Sequence, residues 1–460
     1  MTKVKGHFIA LALFLAAITF VLTRFSELTL PMSLTAAITV LIAALWVTEA
    51  LPIAVTALVP FVAFPAAGIL SYQQAASSLG NHVIILLMGA FMLSKSLEKS
   101  GVHRRLAVYM LRLTGASSAK RLVLGFMLAS AVLSMWISNT ATALMLLPIA
   151  MAVVTSINDP RLSTALLLGI AYASSVGGIG TPIGTPPNII FMSLYQQETG
   201  LEISFLDWMK TGIPIVLVAI PVMALWLTRG ISALPAVNLP ATGQWRTAEK
   251  RVLWVFALVA LAWVFRQYWT AWLGMDSVGD STIALAGVVL MCLIPSGEIT
   301  PEGDKVYLLD WDTAESIPWG LLLVFAGGLC LASAFSSSGL SQVLGESLTG
   351  LSVLPLVGLM LTLCLAVSFL TEVTSNTATA TLLMPILASA AVAIDIDPLL
   401  LMMPAAISAS CAFMMPVATP TNAIVYSSGL LRIPDMAREG FILNILLGVI
   451  VTAVVMLTRL

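Results

Sequence analysis

Residues 138–150 read SNTATALMLLPIA and residues 375–387 read SNTATATLLMPIL, so nine of thirteen positions recur 237 residues later. Each copy has a second echo downstream, GTPPN at 184–188 and ATPTN at 418–422. Small hydroxyl and amide residues thus interrupt apolar sequence twice, at corresponding places in two halves. In a membrane protein that pattern points to a binding site at a repeat interface.

Composition places the chain in a membrane. Of 460 residues, 59% are hydrophobic and only 9% charged, whereas a soluble domain carries about 25% charged residues. With a mean hydropathy of +1.02, the fold class is an all-α polytopic membrane protein in contact with the lipid bilayer. A net charge of −1 and the lack of a basic tail give no sign of nucleic-acid binding, so no nucleic-acid partner is expected. Cys292, Cys330, Cys364 and Cys411 stand singly in apolar runs without CxxC spacing, and read as packing residues. Lys3 and Lys5 precede an apolar run at 8–22, but residues 23–31 offer no cleavage site, so an uncleaved first helix with a cytoplasmic N-terminus is expected.

A span needs roughly 20 apolar residues. That rule predicts spans near 8–23, 34–48, 53–70, 81–98, 211–229, 250–272, 281–295, 318–336 and 438–458. Residues 121–156, 162–195 and 353–428 are long, apolar and broken by Gly, Pro, Ser, Thr or Asn. Irregular backbone at membrane depth is tolerated only where it is buried or lines a cavity. These regions therefore read as re-entrant hairpins at 121–156 and 353–396, each followed by a broken helix, at 162–195 and 399–428. The total is about 11 transmembrane helices.

Charge implies that the halves are inverted. Segment 94–121 holds Lys95, Lys99, Arg104, Arg105, Arg112, Lys120 and Arg121, while its counterpart 332–358 holds no Lys or Arg. Conversely, 196–210 carries Glu198, Glu202, Asp207 and one Lys, and 431–440 carries Arg432 and Arg438. By the positive-inside rule the first hairpin enters from the cytoplasm and the second from the opposite face. Amphipathic stretches precede both hairpins. Val102, Leu106, Tyr109, Met110 and Leu113 share one helical face opposite Arg104, Arg105 and Arg112; Leu340, Val343, Leu344 and Leu348 face away from Gln342, Glu346 and Thr349. Such helices lie flat in the interface. Residues 230–249 and the acidic stretch 297–316 read as exposed connections.

An SNT tip offers neutral oxygens to a hard cation and N–H or O–H donors to a carboxylate. It also begins a helix, whose free N–H groups favour an anion. Thr followed by Pro in TPPN and TPTN is the pattern of a helix restarting after a break, with unwound carbonyls before it. Segments 125–160, 162–195 and 353–428 contain no Lys or Arg. An anion held there would need helix N-termini and bound cations to balance it.

On these paired SNT motifs and their TPPN and TPTN partners, the chain resembles the divalent anion/sodium symporter (DASS) family, the INDY-type dicarboxylate transporters. The resemblance covers nearly the whole chain. It implies a homodimer in which a scaffold carries a mobile transport domain, moving as an elevator. It implies substrate contacts from Ser138, Asn139, Thr140, Pro186, Ser375, Asn376, Thr377, Thr419 and Pro420. One sodium ion would lie at Ser134, Ser138, Asn139 and the backbone of Gly184, the other at Thr371, Thr374, Asn376 and the backbone of Ala418. Ser134 and Thr371 stand four residues before each motif serine, one helical turn from the tip. The second half departs from the pattern at Thr374 and in having ATPTN for GTPPN. The chain then divides into 1–80 (the N-terminal and scaffold helices of repeat one), 81–229 (its hairpin and broken helix), 230–317 (linker and scaffold helices of repeat two) and 318–460 (the second hairpin and broken helix).

Glu372, inside the second hairpin where the first has Met135, is a functional candidate: a proton carrier, a shaper of the second cation site, or a hydrogen-bonded structural acid. Glu49 reads as interfacial or structural, and His7, His82 and His103 are too dispersed for a metal or catalytic site. Residues 336–339, SSSG, lack a histidine partner and read as a turn. No GxSxG, HExxH or Walker loop is present, so an intramembrane enzyme is disfavoured. Two apposed re-entrant tips argue against a passive channel. The expected function is secondary active transport of C4-dicarboxylates such as succinate, fumarate or malate with Na+ across the cytoplasmic membrane. The alternatives are sodium-independent dicarboxylate exchange and transport of citrate or sulfate.

Overall fold

A computed structural model of the chain describes residues 5–115, 118–157, 159–231, 243–299, 303–347 and 355–460. Among them, eight helices are long and apolar enough to cross a membrane, and five apolar segments are shorter. The count falls below eleven because prolines and polar tips cut several segments. The expected span at 53–70 is two pieces, Ile53–Thr56 and Val59–Ala66, and that at 250–272 is Thr247–Val264 followed by Arg266–Leu273. The acidic connection is not all coil: Pro295–Ile299 and Lys305–Tyr307 pair as a short antiparallel ribbon.

Both hairpins form where expected. Ser118 caps Ala119–Ser134 by accepting from the Arg121 N–H, a non-helical tip follows, and Asn139–Ile157 returns. The second hairpin is Leu356–Thr371 and Asn376–Ala393, but residues 353 and 354 of the predicted range lie outside the described residues. Each broken helix also appears. Pro160–Gly177 unwinds through the tight turn Gly178–Gly180 and restarts as Pro186–Thr199; Leu399–Ala409 unwinds and restarts as Pro420–Tyr426.

The two halves interlock. The first limb of each hairpin packs on the first piece of its own broken helix. The second limb packs on the restarted piece of the other half's broken helix: Asn139–Ile157 on Pro420–Tyr426, and Asn376–Ala393 on Pro186–Thr199. Hydroxyls stitch the crossing, with Tyr172 Oη donating to the Phe413 carbonyl at 2.6 Å and Thr185 Oγ1 3.3 Å from Ser410 Oγ. Close approach in the first half depends on Gly177, where a Cβ would strike the Ala131 backbone. Gly177→Ala is therefore expected to destabilise the fold by about 1–3 kcal/mol, because backbone cannot yield as a flexible side chain does. An unchanged melting temperature in detergent would contradict that packing.

The first amphipathic stretch is the helix Val102–Thr114, but its buried face differs from the expected one. Leu113 is exposed, while Arg105 is buried. Residues 243–249 cover Arg105: its guanidinium donates to the Gln244 carbonyl at 2.8 Å, pairs with Glu249 at 3.0 Å and lies over Trp245. The connection expected to be inert thus clamps this helix to the second half. The second stretch is helical over Leu340–Ser347, with Leu348 and Thr349 outside the described residues; of the turn expected at 336–339, residues 336–338 instead end the helix Trp319–Ser338 and only Gly339, at φ +78°, turns. His103 turns inward, its Nδ1 3.0 Å from the Leu97 carbonyl, and burial lowers its pKa. Among the described residues no three His, Cys, Asp or Glu side chains gather as a metal site, and all four cysteines are free, Cys292 being exposed.

Candidate functional site

One cavity of about 840 Å3 brings the motifs together. Its walls include Ser138, Asn139, Thr140, Pro186, Ser375, Asn376, Thr377, Thr419 and Pro420, together with Gly184, Thr374 and Ala418. Four helix starts converge on it. Asn139 and Asn376 open the returning hairpin limbs, and Pro186 and Pro420 open the restarted helices behind extended Thr185 and Thr419. Ser138 Oγ accepts from the Ala141 N–H at 3.1 Å, and Thr419 Oγ1 accepts from the Asn422 N–H at 3.1 Å. The remaining free N–H groups and aligned peptide dipoles make this wall favourable to an anion.

Behind each tip lies a node rich in oxygen. Ser134 and Thr371 do not line the cavity; both are fully buried under the tip asparagines. Thr371 Oγ1 lies 2.7 Å from Asn376 Oδ1 and 3.1 Å from the Ala409 carbonyl, yet one hydroxyl proton can serve only one of them. In the first half, Ser134 Oγ and the carbonyls of Gly184 and Ser174 gather round the Asn139 amide, which, with its nitrogen turned toward them, donates to the two carbonyls at 3.2 Å. Such clusters of neutral oxygens suit a hard cation with oxygen ligands. Two expected ligands point elsewhere. Ser138 caps its own helix, and Thr374 Oγ1 donates to the Leu370 carbonyl at 2.8 Å and meets Thr379 Oγ1 at 2.6 Å.

The unwound loops are held by devices that the motifs alone did not reveal. Asn188 Nδ2 donates to the carbonyls of Gly178 and Thr181 at 3.0 and 2.8 Å. Asn422 Nδ2 donates at the same spacings, ten and seven residues back, to Ala412 and Met415 at 3.1 and 3.0 Å. The last residue of TPPN or TPTN therefore ties its own loop. Glu372 braces the second loop further. Its Oε1 accepts from the N–H groups of Phe413 (2.6 Å) and Met414 (2.9 Å) and from Asn444 Nδ2 (2.8 Å), and its Oε2 from those of Met414 (3.0 Å) and Met415 (3.1 Å). Every partner donates, so the carboxylate form satisfies all of them, and the structural reading of Glu372 is the one the geometry favours. Asn444, a fully buried amide in the apolar helix Ile433–Arg459, was the overlooked signal.

The cavity continues outward along the helix His82–Ser100, past Lys95 and Glu98, and along exposed Glu49, which ends Leu30–Thr48 in the left-handed conformation. Beyond its rim Lys99 pairs with Asp310 at 2.6 Å. Partial burial raises the Asp310 pKa, but the Lys99 and Thr313 hydrogen bonds outweigh it and bring the value down to about 2.

Residues 43–403 match the model of the CitMHS family, described as citrate transporter. The sodium-dependent dicarboxylate transporter SdcS of Staphylococcus aureus is 40% identical over 442 residues, covering 91% of this chain and 84% of that protein. Among solved structures, the YdaH transporter of Alcanivorax borkumensis aligns with a TM-score of 0.54 at 13% identity, covering 82% of this chain and 85% of that one. MtrF of Neisseria gonorrhoeae aligns with a TM-score of 0.56 at 13% identity, covering 83% and 82%. At that identity the two share the fold alone. The relatives and neighbours are transporters, not enzymes, and the resemblance to the divalent anion/sodium symporters is borne out. The chain belongs to the CitMHS citrate transporter family.

Proposed function

We propose that the chain is a secondary active transporter that carries a C4-dicarboxylate, such as succinate, fumarate or malate, with Na+ across the cytoplasmic membrane. The observation carrying this reading is the pairing of four helix starts on one cavity with an oxygen-rich node behind each tip, the second of which has one hydroxyl proton for two acceptors. The helix starts would hold two carboxylates through Ser138, Asn139, Thr140, Ser375, Asn376 and Thr377, with Pro186, Thr419 and Pro420 shaping the wall. The nodes would hold sodium through Ser134, Asn139 and the Gly184 backbone in one half, and through Thr371, Asn376 and the Ala418 backbone in the other. Ser138 and Thr374 contribute only if their hydroxyls turn from their present partners. The name of SdcS, a sodium-dependent dicarboxylate transporter, supports both cargo and ion.

Each hairpin with its broken helix would form the moving body, within 81–229 and 318–460, and the remaining helices of 1–80 and 230–317 the scaffold of a homodimer. Opposite charge in corresponding loops supports inverted repeats with a cytoplasmic N-terminus, and in that orientation the mouth beside Lys95 and Lys99 would open to the cytoplasm. Sodium-independent exchange is the second reading. It is favoured by Asn139: turned over, its amide donates to the Gly184 and Ser174 carbonyls, both at 3.2 Å, and the first node closes without a cation.

Succinate uptake into proteoliposomes separates the two. An inward sodium gradient is expected to drive accumulation that a potassium gradient does not; uptake indifferent to sodium but requiring internal dicarboxylate would establish exchange. Thr371→Val, which keeps the shape and removes one node oxygen, is expected to raise the sodium concentration for half-maximal uptake about tenfold. An unchanged sodium requirement would remove Thr371 from the site.

A further inference from the structure

We propose that Lys95 is a second carboxylate-binding station, at the inner mouth of the cavity, where the anionic cargo pauses between the SNT tips and the cytoplasm. The inference rests on the dicarboxylate reading above. Among the described residues lining the cavity, Lys95 is the one basic side chain, and the tips themselves have none. Its position is a neck. Lys95, Glu98 and Ser316 line both the main cavity and an outer one of about 450 Å3, whose other walls are Lys99, Asp310, Asp312 and Thr313. Cargo that leaves the main cavity by way of the outer one passes the Lys95 ammonium.

Glu98 makes the station exchangeable. Lys95 Nζ lies 2.9 Å from Glu98 Oε2, one turn away on the same helix, and the side chains are 30% and 23% exposed. A pair so placed is weakly held and can trade partners. An incoming carboxylate displaces Glu98, and the returning Glu98 displaces the cargo, so the anion is drawn to the neck without being trapped there. The neighbouring Lys99 stands outside the main cavity and is held by two acceptors, Asp310 at 2.6 Å and the Tyr307 carbonyl at 3.3 Å. Lys95 lies on His82–Ser100, outside both hairpins and both broken helices. When the tips face the opposite side of the membrane, the station serves no cargo.

The test is sodium-driven succinate transport by the full-length protein in proteoliposomes of defined orientation, measured separately from each face. Lys95→Gln is expected to raise the half-saturating succinate concentration about three- to tenfold from the face carrying 94–121, and to change it less than about twofold from the other. Lys95→Arg, which keeps the charge, should restore most of the loss. Glu98→Gln should lower the half-saturating concentration from the same face, because it frees the ammonium. A pair that merely stabilised the helix would impair transport in the same direction for Lys95→Gln and Glu98→Gln, and equally from both faces. That outcome, with wild-type transport intact, overturns the station alone. Wild-type protein that moves no succinate with sodium from either face overturns the functional reading and the station with it.

Discussion

Glu372→Gln is expected to abolish transport and to lower the melting temperature, although it changes only an oxygen to an amide nitrogen. The two carboxylate oxygens together accept from Phe413, Met414, Met415 and Asn444. Glutamine presents one oxygen and one donor group, so whichever way it turns, an NH2 faces backbone N–H groups. Leaving buried donors unmet and removing a buried charge from its partners costs about 2–5 kcal/mol. The loop concerned leads directly to Ala418 and Thr419 in the cavity wall, so the second node and one helix start lose their shape together. Glu372→Met, which copies Met135 of the first half, should be no better. There the equivalent loop is held differently: Met135 packs on Gly180 and the Thr181 hydroxyl donates to the Met135 carbonyl at 2.5 Å. Wild-type uptake and melting by Glu372→Gln would show that the loop keeps its shape without the carboxylate.

This residue also marks the limit of what could be read from sequence. The hairpins and broken helices were legible because Gly, Pro, Ser and Asn cannot sit idle in apolar runs of membrane-spanning length. The tips were legible because a repeat supplies its own control: SNT occurs twice at matching places, and both copies reach one cavity. Partnerships between distant segments were not legible. Periodicity puts Arg105 on a polar face, and only tertiary structure brings residues 243–249, more than a hundred positions away, over its guanidinium. The asparagines closing TPPN and TPTN lay in plain view, yet their bracing depends on loop conformation, which a motif does not specify. Glu372 was recognisable as unusual, but its role depends on three consecutive amides turned inward by the unwinding after Ala409.

Asn139→Ala and Asn376→Ala are expected to do the opposite of Glu372→Gln, sparing the fold while stopping transport. Both side chains are half-exposed at the start of a helix, facing the cavity, so truncation uncovers no large buried polar surface and should cost stability about 1 kcal/mol or less. On the proposed reading each would carry two duties, however. Its amide meets Ser134 or Thr371 in the node behind the tip, and it stands at a helix start that would face cargo. Losing one charge-assisted contact costs about 1.5–3 kcal/mol, so each single variant should reduce uptake at subsaturating succinate about 10- to 100-fold. The double variant should leave none. Asn376→Asp then separates the duties by sign. An added negative charge strengthens a cation node and repels a carboxylate, so the sodium requirement should fall while the succinate requirement rises. If both requirements rise together, Asn376 contacts cargo only and the second cation lies elsewhere. If the sodium requirement falls and the succinate requirement is unchanged, the asparagine serves the ion alone, and the carboxylate is held by the neighbouring Ser375, Thr377 and the free N–H groups of the helix start.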